Sequence, residues 1–210
     1  MKFYEAVLSS AAFRVRIALA LKGLACESVV LDLRAKEHLN DEYRRINPMC
    51  SVPALELAPG QVLFESMAIV EYLDETHPEP PLLPKDPFAR ARVRAIAQLV
   101  ACDIHPLDNL RVLRYLAREL KADDAARDRW YAHWIHEGFR GLETVLPQSG
   151  SFCHGTAPTV ADVFLVPQVV NAIRYKVDIE RYPRVRRIYE QCMKLDAFAK
   201  AHPDQPRSRS

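Results

Sequence analysis

The feature that most constrains this fold is a proline-rich segment, residues 77–87, in which five of eleven residues are proline. Proline fixes φ and lacks the backbone donor, so the segment cannot belong to a helix interior or a central strand. It divides the chain into two parts, each long enough for a small domain. We predict a first domain over residues 1–78, a linker over 79–87 and a second domain over 88–201. The tail, residues 202–210, has little to bury and is expected to be disordered.

Before this segment, the apolar pattern alternates between the two-residue period of strands and the helical period of about 3.6 residues. The resulting order is β-α-β-α-β-β-α, with Pro59-Gly60 turning a hairpin between the consecutive strands. Gly23 is placed to end the first helix and Ser66 to cap the last one. The other predicted elements are strands at residues 3–7, 28–33, 52–57 and 61–64 and a helix at 36–46.

After this segment, the pattern is helical throughout. Asp86-Pro87 predicts an N-cap followed by proline at the first helical position. Thr159 with Asp162 predicts a capping box, and the apolar run after it indicates a buried helix. The fold class is therefore an α/β domain followed by an all-α domain. Further amphipathic helices are predicted at residues 108–120, 125–146 and 184–198.

Composition excludes several classes of function. The six glycines form neither a dinucleotide fingerprint nor a phosphate-binding loop, so a glycine-rich nucleotide site is excluded. A net charge of +2 gives no general attraction to nucleic acid or anionic membranes. No apolar run reaches the roughly 20 residues of a membrane span, and the first residues do not resemble a signal peptide. Five scattered cysteines without a C-x-x-C predict free thiols. We expect a cytoplasmic protein with no nucleic-acid or membrane partner.

Two clusters of side chains raise the question of a metal or nucleic-acid site. His133 and His136 are three residues apart with Glu137 next to them, but no third ligand follows at a recognised metal spacing, so no metal is predicted. Arginines are concentrated at residues 90–94 and 184–187. Their acidic neighbours and the low net charge favour solvated helix faces over a nucleic-acid site.

Four motifs follow one another along the chain. Residues 9–19 read S-S-A-A-F-R-V-R-I-A-L, residues 47–55 N-P-M-C-S-V-P-A-L, residues 65–73 E-S-M-A-I-V-E-Y-L and residues 103–113 D-I-H-P-L-D-N-L-R-V-L. They resemble the S-S-C-x-W-R-V-R-I-A-L, N-P-x-x-x-V-P-x-L, Q-S-x-A-I-I-E-Y-L and I-Q-P-L-Q-N-L segments of zeta-class glutathione transferases. This class includes maleylacetoacetate isomerases and the similar bacterial maleylpyruvate isomerases. The resemblance covers nearly the whole chain and implies a thioredoxin-like N-terminal domain with an all-helical C-terminal domain.

The resemblance also implies an activity, which is glutathione-dependent cis–trans isomerisation of a maleylacetoacetate-like dicarboxylate. Glutathione thiolate would add to the conjugated double bond, the resulting single bond would rotate, and elimination would release the trans isomer with glutathione regenerated as a cofactor. Two alternatives stay open: a zeta-like transferase that conjugates other electrophiles, and a binding protein of the same fold without isomerase activity. The family is also expected to form homodimers.

The serines are the candidate catalytic and anion-binding residues. Ser9 lies where a strand gives way to a helix, so its hydroxyl and the helix N-terminus both favour a thiolate. The alternative for Ser9 or Ser10 is a plain N-cap. Ser66, at another helix start, suits a carboxylate and lacks the G-x-S-x-G elbow of a serine hydrolase.

The resemblance assigns further glutathione-binding residues. Ser66 would bind the γ-glutamyl carboxylate and Glu65 the α-amino group. Val52 would offer backbone N–H and C=O groups to the cysteinyl part, with a cis bond before Pro53.

Polar residues at other positions of the class extend the predicted site. His38 and His105 occupy positions where the class binds glutathione, although a surface or core role remains the alternative for each. Arg111 and Arg174, with Asn109 beside the former, are the substrate candidates, because a guanidinium binds a carboxylate through two parallel hydrogen bonds. Solvated helix-face arginines are the alternative.

Two positions depart from the pattern of the class. Ala11 replaces its cysteine, which disfavours cysteine-dependent reductive dehalogenation. Leu8 replaces a common arginine and removes a cation that would hold a substrate carboxylate. The glutathione site survives both changes, and the choice of substrate stays open.

Overall fold

The computed structural model describes residues 1–206, which form two compact units. The first unit contains Met1–Pro81 together with the segment from Leu195 onward, and the second contains Leu82–Lys194. Among the described residues, no helix combines the length and apolar character needed to cross a membrane.

The strands and α-helices follow the proline-rich division of the sequence. They are β1 (Lys2–Glu5), α1 (Ser10–Leu21), β2 (Glu27–Val30), α2 (Asp41–Ile46), β3 (Ala54–Ala58), β4 (Gln61–Phe64), α3 (Ser66–Thr76), α4 (Pro87–Gln98), α5 (His105–Asp108), α6 (Leu110–Arg118), α7 (Asp124–Val145), α8 (Val160–Arg174), α9 (Pro183–Cys192) and α10 (Asp196–Ala201).

The sheet of the first unit has the strand order β2-β1-β3-β4. β1 is parallel to β2, and β3 is antiparallel to both β1 and β4. The predicted order β-α-β-α-β-β-α and the thioredoxin-like fold class are confirmed. The helix predicted at 36–46 is instead a 3-10 turn, Glu37–Leu39, followed by α2, because Asn40 accepts a hydrogen bond from the Tyr43 amide and starts a new helix.

Register brings several loops to one edge of this sheet. Ala54, the first residue of β3, pairs with Tyr4 of β1 and with Phe64 of β4. Because β1, β2 and β4 run in the same direction and β3 runs oppositely, three strands end where β3 begins. We call this the carboxyl edge. It faces the chain segments that carry the predicted glutathione-binding residues of this unit.

The first helix is buried along nearly its whole length. Every residue from 10 to 19 is buried, including Arg14 and Arg16. At its end, Lys22 Nζ donates hydrogen bonds to Asp74 of α3 and to the Pro80 carbonyl, both at 2.6 Å, which ties the proline-rich segment to the unit. Gly23 follows with φ +64, as predicted for a helix stop.

The second unit is built around α8, whose apolar side chains are buried on nearly all sides. The predicted caps are confirmed: Asp86 accepts from the Ala89 amide ahead of Pro87, and Thr159 with Asp162 forms a capping box. The apolar pattern after α4 continues through a π-helical segment, Leu99–Ile104. The helix predicted at 184–198 is wrong as one element, because α9 ends at Cys192 and α10 begins at Asp196.

The last described residues belong to the first unit, whereas the helical domain was predicted to extend to residue 201. α10 packs on α1, and the His202 ring lies edge-on against Phe13 at 5.7 Å. Pro203 is buried as well, so residues 202 and 203 differ from the disordered tail predicted for 202–210. Residues 207–210 of that tail lie outside the described residues.

Candidate active site

Seven of the predicted residues lie in the first unit beyond the carboxyl edge. They follow β1, β2 or β4, or directly precede β3. They are Ser9, Ser10, His38, Val52, Pro53, Glu65 and Ser66.

Ser9 is the N-cap of α1, with φ −72 and ψ 117. Its Oγ accepts a hydrogen bond from the Ala12 amide at 3.2 Å. A hydroxyl that accepts one hydrogen bond still has its proton to donate, so capping and thiolate stabilisation are compatible at one side chain. Ser10 is buried and begins the helix, where its amide belongs to the first turn that adds positive potential.

Glu65, rather than Ser66, is the N-cap of α3, so the predicted cap is wrong. Glu65 is exposed and has φ +69 and ψ 119, a region that residues other than glycine rarely adopt. Such a conformation costs about 1–3 kcal/mol and is typically found at ligand sites. Ser66 is the first helical residue and is buried, so its backbone amide lies among the unpaired donors of the helix start.

Sequence reasoning missed the role of Arg14. This side chain is 2% exposed, and its Nη1 donates a hydrogen bond to Ser66 Oγ at 3.1 Å. The hydroxyl of Ser66 therefore accepts from Arg14 and has its own proton to donate to an anion. The signal was present in the sequence, because an arginine within the apolar pattern of α1 is buried only if it has partners.

Two side-chain hydrogen bonds hold the loop before β3. The Ser51 carbonyl accepts from Tyr43 Oη at 2.6 Å and from Asn47 Nδ2 at 2.8 Å. The Val52–Pro53 bond is cis, as the resemblance implied. Because β3 begins at Ala54, the backbone of Val52 lies outside the sheet ladder, directly before the strand.

The other predicted residues lie in the second unit. His105 begins α5 and is half-buried, whereas Arg111 and Arg174 are exposed. Asn109 is the N-cap of α6, where its Oδ1 accepts from the Arg111 amide at 2.9 Å. The amide nitrogen of Asn109 still has two N–H groups with which to bind a substrate.

The residue next to Arg174 has partners in α5 and α7. Tyr175, the next residue, stacks on Tyr131 with ring centroids 3.7 Å apart. Burial raises the pKa of Tyr175, Asp108 raises it further, and Arg174 opposes both. Asp108 accepts a hydrogen bond from Gln168 Nε2 of α8 at 2.6 Å.

A cavity of about 300 Å³ lies at this place in the second unit. Leu110 and Tyr175 both line it, and they are the chain neighbours of Arg111 and Arg174. Neither Arg111 nor Arg174 is itself among the lining residues, which include Arg114 and Arg127. A separate cavity of about 320 Å³, with Arg92 and Phe152 in its wall, has none of the predicted site residues among its lining.

The histidine and arginine clusters have structural roles. His136 Nδ1 pairs with Tyr182 Oη at 2.9 Å, and no group of three or more metal-ligating side chains occurs among residues 1–206. Arg187 donates to the carbonyls of Pro147, Gln148 and Gly150, at distances of 2.7, 2.8 and 2.9 Å. This arginine holds the segment after α7 rather than contributing to an open cationic face.

Comparison with known proteins identifies the family and the fold. The family model of the glutathione S-transferase N-terminal domain matches residues 8–76, and that of the C-terminal domain matches residues 124–191. The chain is 45% identical to the maleylpyruvate isomerase of Ralstonia sp, over 97% of each chain. The chain belongs to the zeta-class glutathione transferase family. The predicted family and fold class are confirmed.

Other members of the family are similarly close. The maleylacetoacetate isomerase of Pseudomonas aeruginosa is 43% identical over 97% of this chain and 96% of its own. A holo structure of a bacterial zeta-class maleylpyruvate isomerase superposes with a TM-score of 0.94 at 44% identity, covering 98% of this chain and 100% of its own. The maleylacetoacetate isomerase of Methylobacterium extorquens AM1, solved with malonate and glutathione, has a TM-score of 0.94 at 43% identity over 98% of both chains.

Proposed function

We propose that this protein is a glutathione-dependent cis–trans isomerase of maleylacetoacetate-like dicarboxylates. The observation that carries the proposal is the pair of helix starts at the carboxyl edge, one led by Ser9 and the other by Ser66 with Arg14 buried behind it. The names of its relatives, maleylacetoacetate and maleylpyruvate isomerase, support the same reaction.

The first unit fits glutathione as its cofactor. Ser66 and the buried cation behind it suit the γ-glutamyl carboxylate, and the exposed carboxylate of Glu65 suits the α-amino group. Val52 offers backbone groups to the cysteinyl part. On the resemblance to the class, we also assign His38 and His105 to glutathione.

The reaction divides between the two units. When bound, glutathione supplies the thiolate that adds to the cis double bond and leaves it again after rotation. Ser9 donates a hydrogen bond to the sulfur, and the first amides of α1, including that of Ser10, add positive potential there. Arg111 and Arg174 bind the substrate carboxylates with Asn109, which fixes the orientation of the double bond.

A second candidate function is conjugation of other electrophiles by the same site. The observation that favours it is Leu8, which is 53% exposed just before Ser9, where the class commonly has an arginine. An apolar side chain there suits a less charged substrate. We further propose that the protein is a cytoplasmic homodimer, like the family it belongs to.

The test compares the wild-type protein with Ser9→Ala on maleylacetone and maleylpyruvate, with and without glutathione. Loss of one preorganised donor to a developing anion costs about 10²–10³ in rate, and we expect a fall in kcat/KM of about this size. Ser9→Thr, which keeps a hydroxyl, is the matched control and should retain most of the rate.

Three outcomes separate the hypotheses. An unchanged rate in Ser9→Ala would show that the thiolate assignment is wrong. Turnover of simple electrophiles but not of the two maleyl substrates would favour the conjugating transferase. Retention on immobilised glutathione without any turnover would identify a binding protein.

A further inference from the structure

Arg16 has no assigned part in the site, yet its guanidinium contacts the end of β1, the turn that follows it and the end of α10. It is 5% exposed. Nη2 donates to the Val7 carbonyl at 3.2 Å, Nε donates to the Ala201 carbonyl at 2.9 Å, and Nη1 pairs with Glu5. One planar group with donors in fixed directions therefore sets the relative positions of these three acceptors.

The contact with Val7 bears directly on Ser9. Residues 6–9 form the turn between β1 and α1, closed by a hydrogen bond from the Ser9 amide to the Ala6 carbonyl at 3.0 Å. Val7 lies inside this turn, two residues before Ser9. A hydrogen bond to its carbonyl restrains the turn, and with it the backbone position from which the Ser9 side chain projects.

The pair with Glu5 keeps the buried charges balanced. Glu5 is 1% exposed, and its second carboxylate oxygen accepts from Ser28 Oγ of β2 at 2.6 Å. A buried ion pair whose partners are both hydrogen-bonded contributes mainly geometry, whereas removing one partner leaves an uncompensated charge. Arg16 therefore affects the turn mainly through the placement of its hydrogen bonds, because its charge is balanced by Glu5.

The contact with Ala201 brings in the last helix of the chain. Arg16 and Ala201 are separated by 185 residues. Phe198 of α10 is fully buried, and His202 contacts Phe13 of α1. The carbonyls at a helix end have no intrahelical donor, so the guanidinium satisfies a group that burial would otherwise leave unpaired.

We propose that Arg16 is a positioning residue that couples α10 to the turn carrying Ser9 and so sets the acidity of bound glutathione. This inference rests on the proposed function, because the acidity concerned is that of the glutathione thiol. It gives residues 195–203 a role in positioning Ser9, although they lie far from Ser9 in the sequence.

The principal variant is Arg16→Lys, which keeps the positive charge beside Glu5 but cannot reach all three acceptors. We expect the thiolate fraction of bound glutathione at pH 7, measured by ultraviolet absorbance, to fall about tenfold, with the pH profile of kcat/KM moved to higher pH. Arg187→Lys is the matched control, since Arg187 also donates to three carbonyls but in the second unit. It should lower thermal stability without changing the thiolate fraction.

A second readout needs no glutathione. Hydrogen exchange of peptides covering residues 6–12 should be faster in Arg16→Lys than in the wild type and unchanged in Arg187→Lys. Phe198→Leu, which loosens α10 without touching the guanidinium, should produce the same change more weakly.

The outcomes are distinct from those of the proposed function. If Arg16→Lys loses stability as Arg187→Lys does, while exchange at residues 6–12 and the thiolate fraction stay at wild-type values, the positioning role is refuted. If the wild-type protein binds no glutathione, the proposed function fails, and the exchange measurement alone then decides whether Arg16 and α10 hold the turn.

Discussion

The two units of this protein bury their polar groups in different ways. In the first, fully charged side chains cross between elements far apart in sequence: Arg14 reaches Ser66 across 52 residues, and Arg16 reaches Ala201 across 185. In the second, Asp162 serves the start of its own helix, Asp108 accepts from the neutral Gln168 side chain across 60 residues, and Arg187 binds backbone carbonyls.

This difference indicates where each unit performs its function. Burying an ion is costly unless its partners are well placed, so long-range buried ions are retained where geometry matters. In the first unit Arg14 and Arg16 contact Ser66 and the turn before Ser9, at the carboxyl edge, whereas Lys22 pairs with Asp74 at the other end of α1. In the second unit the buried polar groups organise the helices, and the proposed substrate residues Arg111 and Arg174 are exposed on those helices.

The largest expected effect is that of Asp162→Ala, which would show that the buried polar groups of the second unit serve stability. The carboxylate accepts from the Thr159 amide at 2.8 Å, from Thr159 Oγ1 at 2.9 Å and from the Cys153 amide at 2.7 Å. Leaving a buried donor without a partner costs about 1–3 kcal/mol each, so we expect the free energy of unfolding to fall by about 3 kcal/mol or more. Urea denaturation measures this loss.

Asp86→Ala is the matched control, since Asp86 caps α4 at an exposed position in the same unit. It should cost about 1 kcal/mol. A loss in Asp162→Ala no greater than in Asp86→Ala would contradict a special role for the buried carboxylate.

An intermediate effect is expected for Arg14→Met, which tests whether the buried cations of the first unit serve binding. A hydrogen bond to a charged group contributes about 1.5–3 kcal/mol, so the affinity for glutathione should fall at least about tenfold. Calorimetry compares glutathione with an analogue in which the α-carboxylate of the γ-glutamyl residue is converted to an amide. The wild type should bind glutathione more tightly than this analogue, and Arg14→Met should not. Arg92→Met, at an exposed arginine of α4, should keep the wild-type preference.

The smallest effect concerns His136 in the second unit. Burial lowers the pKa of its imidazole, and the nearby cations Arg181 and Arg140 lower it further against the opposing effect of Asp178. The folded state therefore favours the neutral ring, which pairs with Tyr182. Its contribution to stability is complete above the unfolded pKa of about 6.5 and is lost as pH falls through the lower folded value.

The measurement is the free energy of unfolding between pH 7 and pH 5. It should fall with pH in the wild type, by a few tenths of a kcal/mol more than in His136→Gln. An identical slope in the wild type and in His136→Gln would show that His136 does not titrate differently on folding.

Local signals in the sequence predicted much of this structure. Gly23, Asp86-Pro87 and the Thr159–Asp162 box mark helix ends correctly, because each depends on backbone geometry within four or five residues. The order of strands and helices followed from apolar periodicity for the same reason. The placement of Ser9 as an N-cap beyond β1 was likewise local.

What could not be predicted depends on contacts between distant segments. Nothing near residue 196 indicates that α10 packs on α1, because the Arg16 acceptor is a backbone carbonyl, which every residue has. The strained N-cap at Glu65 could not be predicted either, because the local pattern favours serine at caps. The buried partners of Arg14 and Arg16 become visible only when the helices are packed.

The discontinuity of the first unit has a consequence for biosynthesis. Residues 195–206 leave the ribosome after the whole of the second unit, so the sheet, α1 and α3 are made long before α10 exists. Until then the Arg16 guanidinium lacks its Ala201 acceptor, and the turn before Ser9 is held from one side only. The unit that is synthesised first is thus completed last, and the turn that carries Ser9 gains all its contacts only after the helical unit has emerged.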